Sequence, residues 1–176
     1  MNYMKQKMEF CDLVKVVPSH LQGSGDIPKL TLEERLDILG IDKARKDQIK
    51  ELQYIEVNFD ESEYEKNNYK DSILIKDLIG VNRGRLNNDN WLNTLSNLDH
   101  DQPFLYLKEG NSFDDFIKMV MELLPDEKIR VLKDSNGKYV INNDGMHRLT
   151  IAKCLGIKQI SVTVTELKEQ ISFVNS

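Results

Sequence analysis

The chain has 176 residues, with 29 acidic side chains against 24 basic ones and a formal net charge of −5. That length allows one domain with a full core plus an appendage, or two very small domains. The acidic balance argues against a protein that coats nucleic acid through bulk electrostatics, and no apolar run approaches the ~20 residues needed to span a bilayer.

Residues 1–10 carry lysines but no continuous apolar segment, so no secretory leader is expected. Residues 9–17 are β-branched and apolar up to Pro18 and read as a strand or a short buried segment. Thr31-Leu-Glu-Glu34 is a capping box that opens a helix ending at Gly40. A second helix is expected from Asp42 to about Ile55, giving a helical hairpin whose basic cluster is Lys43, Arg45, Lys46 and Lys50. The hairpin can be read as helix-turn-helix, though acidic residues surround its basic cluster. Residues 60–71 are polar and acidic. They read as a connector or exposed helix and place the boundary between an N-terminal helical extension (1–70) and a main domain (71–176).

Beyond that boundary, Ser72-Ile-Leu-Ile-Lys-Asp-Leu-Ile-Gly80 reads as a strand turning into a short helical element, followed by a polar loop through Asn82, Arg83 and Arg85. Trp91 opens a short helix. Phe104-Leu-Tyr-Leu107 is expected as a strand by composition. Ser112 caps an amphipathic helix bearing Phe113, Phe116, Ile117, Val120, Met121 and Leu124, ended by Pro125. Ile129–Leu132 and Lys138–Ile141 flank Asn136-Gly137, a strong hairpin signal. A helix from Met146 to Leu155 closes at Gly156, and Ile160–Val164 is the last strand. Cys11 and Cys154 are far apart with no CxxC pattern, which fits reduced thiols in a cytoplasmic protein, and Cys154 sits among packing residues.

The stretch most informative about function is Asp144-Gly145-Met146-His147-Arg148, between a strand and a helix. The first N–H groups of a helix have no intrahelical partner and the dipole adds partial positive charge there, so the junction suits an anion such as phosphate. Glycine permits close backbone approach, and Arg148 and His147 bring donors to the same end. Arg83 and Arg85 lie on a glycine-containing loop that reads either as solvated surface or as a second cationic wall of the same pocket. No His, Cys, Asp or Glu set has metal-ligand spacing, so Mg²⁺ would arrive with a nucleotide.

The run Lys138-Tyr-Val-Ile-Asn-Asn-Asp-Gly-Met-His-Arg-Leu-Thr-Ile-Ala-Lys-Cys-Leu-Gly-Ile-Lys-Gln-Ile-Ser-Val-Thr-Val164 resembles the ParB/sulfiredoxin-like fold family. The resemblance is specific over residues 128–165, weaker over 72–127, and does not cover 1–70. It implies an α+β fold, a small mixed sheet with packed helices. It also implies that Gly145, Met146, His147 and Arg148 meet the phosphates of a nucleotide, with Asp144 shaping the turn. Sulfiredoxins place a catalytic cysteine directly before the His-Arg pair. Met146 stands there and cannot be a thiolate nucleophile, so sulfiredoxin activity is not expected. Chromosome-partitioning members use an arginine-rich turn, bind CTP and DNA, and continue into a helix-turn-helix domain, which is not expected here. Free-serine kinases carry Asp-Gly-x-His-Arg, the nearest match, together with a carboxylate near the opening strand.

The expected function is therefore nucleotide binding with phosphoryl-transfer or NTPase chemistry: an ATPase, or a kinase of a small hydroxyl compound. ATP or another nucleotide with Mg²⁺ is the cofactor, His147 stabilises developing charge, and Asp144 or Asp77 is the general base. The alternative is a ParB-like accessory protein or nuclease acting beside DNA, from a plasmid or prophage, with Arg83, Arg85 and the 42–55 helix as contacts.

Overall fold

A computed structural model describes residues 29–83, 88–123 and 128–173, and Thr31–Ser176 forms one compact unit. Its centre is a six-stranded mixed sheet in the order β1-β3-β5-β4-β6-β2. The strands are β1 (Ile55–Val57), β2 (Lys66–Leu74), β3 (Leu78–Asn82), β4 (Arg130–Lys133), β5 (Tyr139–Asn142) and β6 (Gln159–Leu167). The helices are α1 (Leu32–Ile38), α2 (Lys43–Lys50), α3 (Trp91–Ser96), α4 (Gln102–Lys108), α5 (Phe113–Leu123) and α6 (Met146–Leu155). The fold is thus α+β, and among the described residues no helix is long and apolar enough to cross a membrane.

Local chemistry sets most boundaries. The Thr31 side chain accepts from the Glu34 N–H while the Glu34 carboxylate accepts from the Thr31 N–H, which starts α1. The Asp42 carboxylate does the same for α2 through the Arg45 N–H at 2.7 Å. The hairpin expected at Asn136-Gly137 joins antiparallel β4 and β5. Asp134 ties that turn by accepting from the N–H groups of Asn136 and Lys138. α6 is buried over almost its whole surface, including Arg148, Thr150 and Lys153, and packs against α3 and β5, so it shows no apolar stripe set against a polar face.

Three elements differ from their sequence readings. Phe104–Leu107 is helical, inside α4: Asp101 precedes the helix and Pro103 occupies its first turn, where a missing N–H costs nothing. Those start signals outweigh β propensity, leaving Phe104 buried and Leu105 half exposed. Helix α2 stops at Lys50, and Ile55 instead pairs with Gly80 in parallel β1 and β3. A Cβ at Gly80 would lie 2.0 Å from the Ile55 carbonyl oxygen, so this close approach requires glycine. The division expected at 70/71 falls inside β2, an antiparallel partner of β6 at the sheet edge. An edge strand exposed on both faces lacks the apolar alternation that would reveal it.

Arg35 and Trp91 anchor the helical layer. Arg35 is fully buried and donates from Nε and Nη2 to Asp101 Oδ1 at 3.0 and 2.7 Å. It also donates to the carbonyls of Leu95, Ser96 and Leu98. Trp91 is fully buried, donates its indole N–H to the Gln53 carbonyl at 2.9 Å, and meets Tyr54 edge-on at 5.2 Å.

Candidate functional site

β1, β3 and β5 run in one direction, so their carboxyl ends share one edge of the sheet. There Asn142 ends β5, Asn143 adopts φ +66°, and Gly145 adopts φ +91° as the residue that enters α6. Among the described residues no side chain caps α6, so the first N–H groups of this ten-residue helix lack a side-chain acceptor, the feature that suits a helix start to an anion. A Cβ on Gly145 would lie 2.9 Å from Ile129 Cγ2 and 3.1 Å from its Cα, so both the dihedral and the space demand glycine.

The turn is braced by Arg130. Its N–H donates to the Asp144 carbonyl at 3.2 Å, and its Nε lies 3.3 Å from Asp144 Oδ2, an ion contact without hydrogen-bond geometry. Both side chains are exposed enough to meet solvent, at 42 and 56 %. Met146 and Arg148 are buried at 7 and 6 % exposure, and Arg148 is already engaged within the fold. The cation exposed at the turn is therefore Arg130, which the sequence reading passed over.

His147 is only 15 % exposed, and its ring stacks on His100 with centroids 3.8 Å apart. Its Nε2 is buried without a hydrogen-bond partner among the described residues, 3.9 Å from Asp99 Oδ1. Burial pushes the imidazole down to about 4, His100 acts in the same direction, and Asp99 opposes them. His147 is thus neutral at pH 7 and offers a polar ring nitrogen rather than a cation. Since its folded value lies below the ordinary 6.5, the folded state binds fewer protons than the unfolded one between these values. Stability from this group is complete above about pH 6.5 and is lost as pH falls through about 4. A difference of roughly 3 kcal/mol is the upper scale of the effect. Chemical denaturation at pH 7 and pH 4.5 should show the loss, and His147→Gln should flatten it. An equal slope in parent and variant would assign the acid sensitivity elsewhere.

Asp77 does not join this site. It precedes β3, and Lys138, which precedes β5, donates to its Oδ1 at 2.6 Å. Parallel strands put both starts at the edge opposite the turn, about 16 Å away at ~3.3 Å per residue. Asp77 is corrected from base candidate to half of an ion pair. Arg83 is exposed immediately after β3 and so lies at the edge of the turn. Arg85 lies outside the described residues.

The carboxylate that does reach this edge is Glu61. Asn142 Nδ2 donates to Glu61 Oε2 at 3.1 Å, and Asn82 Nδ2 donates to Asn142 Oδ1 at 3.0 Å. Asn82 also exchanges two hydrogen bonds with the Phe59 backbone, and Glu61 pairs with Lys66 at 3.3 Å. Glu61 sits in a run of acids that reads as solvated surface. Only the pairing of distant strands brings it near Asn142, so no local signal marks it. His100 is exposed but stacked on His147, a pairing that no sequence pattern marks. Cys154 is buried and its thiol is pushed up to about 12 by burial, consistent with packing rather than chemistry. Among the described residues, no group of three or more His, Cys, Asp or Glu could hold a metal ion.

The edge thus combines helix-terminal amides, exposed Arg130 and Arg83, an asparagine pair, and the carboxylates of Glu61 and Asp144. Such a set can hold an anion and move a proton beside it. No family model matches the chain, and no curated protein or solved structure matches it significantly.

Proposed function

We propose that this protein binds a nucleotide and performs phosphoryl-transfer or NTPase chemistry at the Asp144–Arg148 turn, as a member of the ParB/sulfiredoxin-like group. The observation that carries the reading is the uncapped start of α6, entered through Gly145 at positive φ beyond the carboxyl end of β5. Phosphate oxygens accept from the first-turn N–H groups, with Arg130 and Arg83 flanking them. His147, a neutral imidazole stacked on His100 with its Nε2 buried, supports the start of α6 from beneath rather than touching the transferred group. Glu61 or Asp144 would accept a proton or share Mg²⁺ with the phosphates.

Titration calorimetry with ATP, ADP and CTP, each with magnesium, tests the reading. At least one nucleotide should bind, and Arg130→Ala should weaken it by about tenfold, the scale of one charge-assisted contact. Glu61→Gln should keep binding and lose turnover. Silence from all three nucleotides removes the proposal. Unchanged affinity in Arg130→Ala removes that residue from the site.

A further inference from the structure

A concavity lies at the end of α6 remote from the Gly145 turn. It is a pocket of about 420 Å³ lined by Arg45, Leu52, Leu74, Ile75, Lys76, Lys153, Gly156, Ile157 and Lys158. That volume is within the range of small-molecule sites. α6 has ten residues, so about 15 Å of helix at ~1.5 Å per residue separates it from the Gly145 turn. The floor is aliphatic, from Leu52, Leu74, Ile75 and Ile157. Leu74, at 38 % exposure, is one of only two large hydrophobic residues left exposed among the described residues.

The charged part of the lining is of one sign: four basic side chains and no carboxylate. Two of the four are committed to backbone. Arg45 donates from Nε and Nη2 to the carbonyls of Cys154 and Lys153 at 3.0 and 3.1 Å. Lys153, buried, donates to the carbonyls of Ile75 and Leu78 at 2.9 and 2.7 Å. These bonds satisfy donors, and the one carboxylate acting on Lys153 among the described residues is Asp77, which lies outside the lining and is paired with Lys138. Burial lowers the Lys153 ammonium to about 8, so an anion nearby would stabilise its charged form. The other two, Lys76 and Lys158, are exposed and form no ion pair within the described residues. The Ile75 N–H donates to the Lys158 carbonyl at 3.1 Å, which holds both lysines on one rim.

An aliphatic floor under a wholly cationic rim fits a ligand with an apolar body and an anionic head. We propose that this pocket binds a medium-chain aliphatic carboxylate, its chain over Leu52, Leu74, Ile75 and Ile157 and its head between Lys76 and Lys158. This site is independent of the nucleotide reading and stands whether or not that reading holds.

The test is titration calorimetry of the full chain with octanoate, octanol, octylamine and inorganic phosphate. Octanoate should bind, octanol about tenfold or more weakly, and octylamine and phosphate not measurably. Lys76→Glu combined with Lys158→Glu alters two exposed side chains, so the circular dichroism spectrum and melting temperature should hold while octanoate affinity falls by about tenfold or more. Ile157→Trp, which fills the floor, should abolish octanoate binding with both lysines intact. Equal binding of octanoate and octylamine, binding of phosphate alone, or undiminished octanoate affinity in the lysine double variant would each overturn the proposal. Nucleotide titration of the same double variant serves as the control, and should match the parent.

Discussion

Arg35→Met is expected to cost about 3–5 kcal/mol, the scale for breaking a buried charge network from one side. The guanidinium is fully buried, and its donors end at Asp101 and at three carbonyls after or within the last turn of α3. Methionine fills much of the volume but supplies no donor, so those carbonyls lose their partners at once. Phe104, whose ring lies 4.9 Å from the guanidinium carbon, loses a cation–π contact as well. The effect should reach the site. Arg35 holds the segment that carries Asp99 and His100, and its charge helps to keep His147 neutral. NMR titration of the variant should show the His147 imidazole moving up toward its ordinary value. A loss under ~1 kcal/mol in urea denaturation, the ordinary mutational effect, would mean that the network is dispensable.

Gly145→Ala should reduce both stability and nucleotide affinity. A left-handed backbone costs a residue with Cβ about 1–3 kcal/mol, and here the new atom also presses on the Ile129 backbone. Gly110 provides the matched control, with φ +90° and open space around its missing Cβ. Gly110→Ala therefore measures dihedral strain alone, and the excess in Gly145→Ala measures the contact with Ile129. Pushing the turn away from Ile129 displaces the first amides of α6, and nucleotide affinity should drop by about tenfold or more, as misplaced preorganised donors do. If Gly145→Ala is destabilised yet binds nucleotide like the parent, the turn is architecture and the phosphates sit elsewhere.

Sequence chemistry carried the parts of the fold governed by neighbours within about one helical turn. The Thr31 capping box, the Asp42 cap, the Asn136-Gly137 hairpin and the Gly145–Gly156 limits of α6 all depend on such local geometry. What escaped was decided at long range. β2 is recognised only through its partner β6, 97 residues away at Tyr69 and Glu166. Glu61 gains significance from a hydrogen bond to Asn142, and Asp77 loses it to Lys138, across separations of 81 and 61 residues. In the candidate site, the turn was legible because glycine chemistry is local. The depth of Arg148 and the His100–His147 stack were not, because burial belongs to the whole helical layer.

The placement of Trp91 has a practical result. It is the sole indole in the sequence, shielded from water, with the Lys153 ammonium 5.6 Å from its ring centre and Tyr54 against its edge. Tryptophan fluorescence therefore comes from one emitter, set between the helical layer and the Lys153 wall of the cationic pocket. Its colour should report loosening of that layer, and its intensity should respond when the nearby ammonium changes protonation, so the molecule carries a built-in optical gauge that needs no label.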